Sequence, residues 1–541
     1  MRLLMVVPNY ELEPFGIAII SAVLKRAGYQ VDILNKQDTP LLPLVLAEKK
    51  HEFVATGGMS CNYHLIEEIV SQAHEGGAKV ILGGGIVTSE PELISRVLQI
   101  DYSVIGEGEE TILELLATLE KGGDLQAVAG IGFFSGDQFI LTKRRPPIND
   151  LDSLPFPDWD SLDFERHLEA AKPSDQYYFD FSDHPRIYHL LASRSCPFQC
   201  TFCYHPLGNK YRQRSIGALF DELRQMVPKF RINNVAISDE LFSQNRERVF
   251  EFCTRFSELR KEIPWELRWG CQLRVDKLDE ELLDTMKASG CTGIAYGFES
   301  YSPLVLKSMK KHITPEQIDR AVHLSLERNM AIQANFIFGD PAETWETFHE
   351  TMSFWKEHSF AGIQLGYVMP CPDSELYRYC LQRGIIRDRL DYIEHHIFDK
   401  FNMTALSDAE FEKLDVVMKK IFLSHYYHAI PLSVGPDHMT VRCPHCRKLN
   451  EYRNYDVTKK NFIVLSIVPV SLLYFSKMVY CRKCNYRFYA VSSLYKLVSF
   501  LYLFFASHGL IEAGRKIRRH LRNIFHHEKR PGKRSFREGK P

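Results

Sequence analysis

The sequence has no apolar run long enough for a secretory signal or a membrane-spanning helix. Its first residues carry only five consecutive apolar side chains, from Leu3 to Val7, before Pro8, and the core of a secretory signal is longer. The apolar run 462–475 contains Pro469 and is about fourteen residues long, whereas a spanning helix needs roughly twenty. We therefore expect a cytoplasmic protein.

The chain also lacks an excess of either charge. Its 541 residues carry a formal net charge of −1, with 45% hydrophobic and 25% charged residues. This balance is typical of folded globular domains and excludes a disordered chain, and the length accommodates three or four domains.

A fourth cysteine is missing from the segment CPFQCTFC. Cys196, Cys200 and Cys203 are spaced C-x3-C-x2-C, whereas a structural zinc site needs four ligands and a disulfide framework an even number of cysteines. Three thiolates can hold a [4Fe–4S] cluster that keeps one iron open. Two alternatives stay open from the residues alone: a zinc site that borrows His205, and an electron-transfer cluster with a remote fourth cysteine.

The first 125 residues alternate between apolar strand patterns and amphipathic helix patterns, which predicts a parallel sheet covered by helices. Ligands bind such sheets at the carboxyl ends of the strands, where glycines let a ligand approach the backbone. Each glycine cluster taken alone equally fits a tight turn. The candidate cofactor-binding residues at these strand ends are Gly57, Gly58, Ser60, Gly83, Gly84, Gly85, Gly106 and Gly108.

In order and spacing, EPFGIAIISAVLKRAGYQVDIL, GGMS, LGGG and DYSVIGEGEETILELL resemble the Rossmann-like cobalamin-binding domain of one branch of the radical S-adenosylmethionine enzymes. One departure is that PNYELEPFG stands where many cobalamin proteins carry a D-x-H-x-x-G loop. The resemblance therefore implies bound cobalamin but offers no histidine from that motif as the lower axial ligand of cobalt.

The segment HLLASRSCPFQCTFCYHP, with the aromatic Phe202 before the third cysteine, resembles the radical S-adenosylmethionine signature. The resemblance implies that the amino and carboxylate groups of S-adenosylmethionine chelate the open iron. It further implies reductive cleavage to a 5′-deoxyadenosyl radical, with electrons from an external donor of the flavodoxin or ferredoxin type.

Six strand–helix units between residues 186 and 400 predict a partial (β/α)6 TIM barrel, so the fold class is α/β. The family resemblance implies cosubstrate contacts at the carboxyl ends of the strands. Arg274 could pair with the cosubstrate carboxylate or with Glu299, or it could form an ordinary surface ion pair. Cys371, the catalytic candidate, could face substrate or simply pack. The remaining residues implied at the cosubstrate are Asp239 and Glu240 for the methionine amine, Glu299 and Ser300 for the ribose, and Gly339 beside the adenine.

Two C-x2-C pairs lie further along the chain, Cys443 with Cys446 and Cys481 with Cys484. Paired knuckles of this kind suit tetrahedral zinc. The segment NFIVLSIVPVSLLYFSKMVYCRKC resembles zinc-ribbon modules, which implies that its apolar spacer forms a strand pair before the second knuckle. His445 is the less suitable ligand. The predicted organisation is 1–125 cobalamin-binding domain, 126–185 hairpin and Pro/Asp-rich linker, 186–400 barrel, 401–440 bridging helix, 441–490 zinc ribbon and 491–541 amphipathic helix with a basic tail.

From Arg515 onward the tail has eleven Lys or Arg against two Glu and follows an aromatic-rich segment. This pattern favours an interfacial helix on anionic lipid, at the inner face of the membrane. A solvated terminus is an alternative, and nucleic acid is the weaker partner.

The prediction is a cobalamin-dependent radical enzyme that methylates an unactivated carbon of a small-molecule or lipid substrate, with lipid or isoprenoid favoured by the tail. A radical cyclase or rearrangement enzyme is the alternative. A redox-sensing or RNA- or partner-binding module is the hypothesis of another class, and the cosubstrate motifs argue against it.

Overall fold

The computed structural model describes residues 1–8, 14–35, 41–49, 51–173, 182–242, 244–459, 465 and 468–507. The basic tail from residue 508 and part of the apolar spacer, 460–464 and 466–467, lie outside the described residues.

A seven-stranded sheet forms the first part of the molecule, in the spatial order β2-β1-β3-β4-β5-β6-β7. Its strands are β1 (Arg2–Val6), β2 (Gln30–Leu34), β3 (Phe53–Gly57), β4 (Lys79–Gly83), β5 (Tyr102–Val104), β6 (Ile131–Ser135) and β7 (Gln138–Leu141). The first five are parallel, and the last two add an antiparallel hairpin. The helices are α1 (Phe15–Arg26), α2 (Leu42–Lys49), α3 (Tyr63–Glu75), α4 (Gly85–Ser89), α5 (Pro91–Val97) and α6 (Glu109–Lys121). The predicted Rossmann-like sheet is confirmed, and the hairpin predicted as a connector extends its edge.

A six-stranded parallel sheet follows, and its strands neighbour one another in chain order, as in a partial barrel. They are β8 (Ile187–Leu190), β11 (Asn234–Ile237), β12 (Arg268–Leu273), β13 (Cys291–Glu299), β14 (Ala331–Phe338) and β15 (Ile363–Tyr367), while β9 (Ser193–Arg194) and β10 (Arg212–Gln213) form a small ladder around the CPFQCTFC loop. The helices of this part are α7 (Phe164–Ala170), α8 (Ile216–Lys229), α9 (Arg246–Glu262), α10 (Glu280–Ala288), α11 (Pro303–Ser308), α12 (Pro315–Glu327), α13 (Trp345–Glu357), α14 (Glu375–Gln382) and the single turn α15 (Arg389–Asp391), with a π-helical turn at Tyr392–His396.

The bridging helix is α16 (Asp408–His425), and a capping box closes its amino end. The Ser407 hydroxyl accepts from the Glu410 amide at 3.4 Å, and the Glu410 carboxylate accepts from the Ser407 amide at 2.9 Å. The strands β16 (His428–Ala429), β17 (Ser433–Val434), β18 (His438–Arg442), β19 (Leu449–Arg453), β20 (Ser476–Tyr480) and β21 (Arg487–Val491) follow, and then α17 (Ser493–Ser507).

The barrel core continues without a break into the elements beyond it. Val7 of the first sheet, Met418 of α16, Met478 of β20 and Tyr495 of α17 belong to the same buried apolar cluster as the barrel strands. Continuous burial of this kind holds the parts in fixed relation. Within the described ranges, no helix combines the length and hydropathy needed to cross a membrane.

Candidate functional site

The carboxyl ends of the strands of the first sheet lie against the cysteine loop of the barrel. Tyr204 directly follows Cys203, and its hydroxyl donates to the Gly85 carbonyl at 2.8 Å. A Cβ on Gly85 would lie 3.1 Å from the Tyr204 ring and 2.6 Å from the Met59 sulfur. The predicted glycines therefore form a surface that approaches the loop closely.

The glycines after β3 and β4 also face each other. Gly84 has φ +89°, and a Cβ there would lie 2.8 Å from both the amide nitrogen and the carbonyl oxygen of Gly58. Only glycine fits this combination of backbone conformation and contact. The two strand ends thus pack backbone against backbone, with Gly84 exposed and Gly57, Gly58 and Gly83 half-buried, and the absence of side chains suits the approach of a large flat cofactor.

A buried ionic cluster joins the two parts beside this surface. The Glu107 carboxylate accepts from Arg212 at 2.7 Å, from Arg194 at 3.0 Å and from the Ile148 amide at 2.6 Å. Arg194 also pairs with Glu109 at 2.5 Å. Burial acts to raise the pKa of Glu107, but the Arg194 charge and the Ile148 amide outweigh it, so the pKa lies below its ordinary value.

The three loop cysteines are free thiols, with Cys200 buried and Cys196 and Cys203 half-buried. The hydrogen bond with Cys203 lowers the pKa of the Cys200 thiol to about 7, and the Lys311 charge acts in the same direction. Among the described residues, only the ribbon cysteines bring three or more ligand atoms within 4.8 Å of one another. Three thiols on one loop suit a [4Fe–4S] cluster that keeps one iron open.

The segment after α11 braces the cysteine loop. The Thr201 amide donates to the Met309 carbonyl at 3.1 Å, and the Cys200 thiol donates to the Lys310 carbonyl at 3.8 Å. Arg274 donates to the carbonyls of Lys311 and His312, each at 3.1 Å. Sequence reasoning assigned no role to this segment.

Arg274 does not pair with Glu299. Its guanidinium bonds Asp276 at 3.0 Å and lies 3.6 Å from the centre of the Phe198 ring, inside the cysteine loop. Glu299 pairs instead with Lys311 at 2.8 Å. Burial acts to lower the pKa of Lys311, but the charges of Glu299 and Cys200 outweigh it and raise the pKa.

The residues predicted for the methionine amine differ in surroundings. Asp239 is buried and accepts from the Ala192 amide at 2.6 Å, the Ser193 amide at 3.0 Å and the Ser193 hydroxyl at 2.7 Å. Burial nevertheless raises its pKa to about 6. Glu240 is exposed, and its charge adds to the burial that raises the pKa of Cys196. Asp239 thus holds the start of the cysteine loop, while Glu240 faces outward beside it.

The other predicted site residues lie at the same end of the barrel. Ser300 is buried and shares a hydrogen bond with Thr351 at 3.1 Å, so its hydroxyl serves the fold. Gly339 follows β14 with φ +102°. Cys371 is half-buried. Burial raises the pKa of its thiol, and the charge of Cys61 makes a smaller contribution in the same direction.

The ribbon brings four cysteine sulfurs together. Cys443 and Cys484 lie 3.9 Å apart, and Cys446 and Cys481 lie 3.5 Å apart. Such a group could hold one zinc ion in a closed tetrahedral site. His445 stacks on Tyr486 with ring centres 3.9 Å apart, which gives its ring a packing role. Within the apolar spacer, the described residues contain the strand β20, which pairs with β21 after the second knuckle. The predicted strand pair stays a prediction, because residues 460–464 and 466–467 of the spacer lie outside the described residues.

We predict that the purified protein binds about one zinc ion and that Cys481→Ser abolishes this binding, because three thiolates leave the tetrahedron incomplete. Elemental analysis of the full-length chain measures the ratio. His445→Ala is the matched control in the same knuckle and should keep the zinc. Unchanged zinc content in Cys481→Ser would contradict the assignment.

Comparisons with known proteins agree with this geometry. The Radical SAM superfamily profile matches residues 190–354, and the B12 binding domain profile matches residues 1–116. The first match covers the cysteine loop and the segment after α11 that contacts it, and the second covers the glycine-bearing strand ends.

Individual relatives resemble both parts together. An uncharacterized methyltransferase of Pyrococcus horikoshii is 26% identical over 79% of this chain and 92% of its own length. An anaerobic magnesium-protoporphyrin IX monomethyl ester cyclase of Cereibacter sphaeroides is 29% identical over 65% of this chain and 59% of its own length. The solved structure of the radical S-adenosylmethionine methyltransferase TsrM from Kitasatospora setae aligns with a TM-score of 0.58 at 20% identity, over 71% of this chain and 77% of that one. Because the identity is only 20%, this match shows similarity of fold alone.

Proposed function

Since the chain belongs to the radical S-adenosylmethionine enzymes that carry a cobalamin-binding domain, we propose that it methylates an unactivated carbon of its substrate. The observation that carries the proposal is the contact of Tyr204 with Gly85 at 2.8 Å. This contact brings the glycine surface and the cysteine loop to one space, so a substrate carbon there would face both cofactors.

A cluster bound here would supply the electron that cleaves S-adenosylmethionine to methionine and a 5′-deoxyadenosyl radical, and bound cobalamin would supply the methyl group. A further electron from the external donor and a second S-adenosylmethionine would restore that methyl group and leave S-adenosylhomocysteine. In the proposal, Cys196, Cys200 and Cys203 hold the cluster. The glycines after β3, β4 and β5 leave space for cobalamin, and Tyr204 fixes the loop against them.

For the cosubstrate we assign Glu240 to the methionine amine, because its carboxylate is exposed beside Cys196. Glu299 is assigned to the ribose hydroxyls and Gly339 to the adenine edge. Asp239 acts through the loop backbone, so it is a positioning residue. Arg274 acts in the same way, through the carbonyls that it bonds.

The substrate side and the electron supply complete the proposal. Cys371 lies in the loop after β15, where it could face a small-molecule or lipid substrate. The chemistry requires an external electron donor, for which we propose a flavodoxin or ferredoxin.

Radical cyclisation is the second candidate, favoured by the relative named as a cyclase at 29% identity. The discriminating experiment is mass spectrometry of the products formed anaerobically by reconstituted protein with reductant, cobalamin, S-adenosylmethionine and cell extract as the substrate source. We expect both 5′-deoxyadenosine and S-adenosylhomocysteine, with labelled methyl recovered in an extract component. Deoxyadenosine without S-adenosylhomocysteine would contradict methyl transfer and favour cyclisation or rearrangement.

We also propose that the C-terminal region contacts an anionic membrane surface. One side of α17 buries Tyr495 and Tyr502 in the protein, while the other side exposes large apolar residues, among them Phe500 at 65%, Leu497 at 54% and Phe504 at 51%. Eleven Lys or Arg follow from Arg515. An apolar helix face followed by basic residues suits the interface of an anionic bilayer.

The membrane prediction is tested by flotation with vesicles that contain phosphatidylserine. Deletion of residues 491–541 should release the protein, but this change also removes buried Tyr495. A triple variant leaves the buried side of α17 intact and should also release the protein from the vesicles. It carries Leu497→Ser, Phe500→Ser and Phe504→Ser. The control is Leu304→Ser, which replaces an exposed leucine on α11. Flotation that survives the triple exchange would refute the interfacial helix.

A further inference from the structure

We propose that the Lys311–Glu299 ion pair sets the reduction potential of the cluster on the cysteine loop, with Lys311 raising the potential and Glu299 lowering it. The proposal rests on the proposed function only in assuming that the loop binds a cluster. It does not depend on whether the reaction is methyl transfer or cyclisation.

The Lys311 ammonium lies beside the cysteine loop with little access to water. Its side chain is 12% exposed, and its nitrogen is 5.9 Å from the centre of the Phe202 ring, the residue before Cys203. Its charge acts on the thiols of both Cys200 and Cys203. Because water screens buried charges poorly, a single charge here has a larger effect than on the surface.

The backbone around the pair is built to admit it. A Cβ on Gly297 would lie 2.5 Å from a Glu299 carboxylate oxygen and 2.6 Å from the Lys311 nitrogen, so the pair packs directly against the bare backbone of Gly297. Glu299 has φ +64°, a conformation that non-glycine residues rarely adopt, at a register shift in β13. Backbone of this kind persists where the surrounding structure enforces it, often at functional sites.

Arg274 fixes the other side of the pair by donating to the carbonyls of Lys311 and His312. The neighbouring Lys310 is different: its side chain is 45% exposed and pairs with Glu375, which is 50% exposed. Two consecutive lysines thus present one buried and one solvated charge to the same loop. They offer a matched comparison.

The sign of each effect follows from the charge of the cluster. Reduction adds one negative charge to a centre already held by three thiolates, so a nearby cation stabilises the reduced form and an anion destabilises it. Removing the Lys311 charge should therefore lower the potential. Removing the Glu299 charge, while Lys311 stays cationic, should raise it.

The experiment is a potentiometric titration of the reconstituted full-length protein without S-adenosylmethionine, followed by electron paramagnetic resonance. Lys311→Met should shift the midpoint downward, Glu299→Gln upward, and the double variant should lie between them. Lys310→Met is the control and should titrate as the wild type does. Iron content is measured first, so that every comparison uses protein with an intact cluster.

Equal midpoints for Lys311→Met and Lys310→Met would overturn the proposal, and so would shifts of the same sign for Lys311→Met and Glu299→Gln. If Lys311→Met assembles no cluster, the sign of the Glu299→Gln shift decides the question, and Lys311→Arg should keep the wild-type midpoint. A wild type that forms no S-adenosylhomocysteine would contradict methyl transfer and leave these shifts unaffected. Failure of the proposed function is therefore distinguishable from failure of this inference.

Discussion

Replacing Cys200 by Ser is expected to abolish both the cluster and the cleavage of S-adenosylmethionine. Cys200 is the most buried of the three loop thiols, and two remaining thiolates cannot hold a [4Fe–4S] cluster that must keep one iron open. Iron should fall from about four atoms per chain to background, and 5′-deoxyadenosine should fall to the level of a reaction without enzyme.

Cys253 supplies the matched control, because it is a buried cysteine on α9, outside the cysteine loop. Cys253→Ser should retain the iron and the cleavage activity. Ribbon zinc should be unchanged in Cys200→Ser, which separates loss of the cluster from loss of the fold. A variant that keeps the absorbance of the cluster and forms deoxyadenosine would show that the loop cysteines do not bind it.

The second large effect is expected from Glu107→Ala, which leaves Arg194 and Arg212 buried without their shared carboxylate. The side chains of Glu107 and Arg212 are 6% and 4% exposed. Removing one partner from a buried ion pair costs about 3–5 kcal/mol. We therefore expect the free energy of unfolding to fall by that amount, which moves the unfolding midpoint to a lower urea concentration. Circular dichroism at several urea concentrations measures it.

Glu110→Ala is the control, since Glu110 is 57% exposed and lies 3.8 Å from Arg145. Exposed pairs contribute about 0–1 kcal/mol. The pKa of folded Glu107 lies below its ordinary 4.5, so its contribution is complete above that pH and is lost as the pH falls through the folded value. Equal destabilisation by the two variants would contradict the role of the buried cluster.

Local patterns carried the metal-binding predictions. The spacings within CPFQCTFC, CPHC and CRKC are short enough that the loop itself presents the thiols, and the structure brings the ribbon thiols together as the spacing suggested. Alternation of strands and helices likewise predicted both parallel sheets. The domain boundaries and the roles of individual site residues stay predictions.

Contacts between distant segments could not be predicted in the same way. Glu107 lies inside the motif IGEGEE, but its partner Arg212 is 105 residues away, and no local pattern connects them. Tyr204 meets Gly85 across 119 residues. Lys311 is only 12 residues from Glu299, yet α11 lies between them in the chain, so no local spacing rule predicts their pairing. Asp239 was recognised as a strand-end carboxylate, but its hydrogen bonds with the loop backbone arise only once β8 and β11 are side by side.

The ribbon covers the amino ends of two barrel strands. The Tyr480 hydroxyl donates to the Ile332 carbonyl at 2.9 Å, and the Arg487 guanidinium donates to the Gly362 carbonyl at 2.8 Å. These carbonyls belong to segments more than a hundred residues earlier in the chain, and buried carbonyls need partners. During synthesis the barrel therefore emerges from the ribosome before the side chains that close its base. These two carbonyls at the base of the barrel therefore gain their partners only after residue 487 has been synthesised.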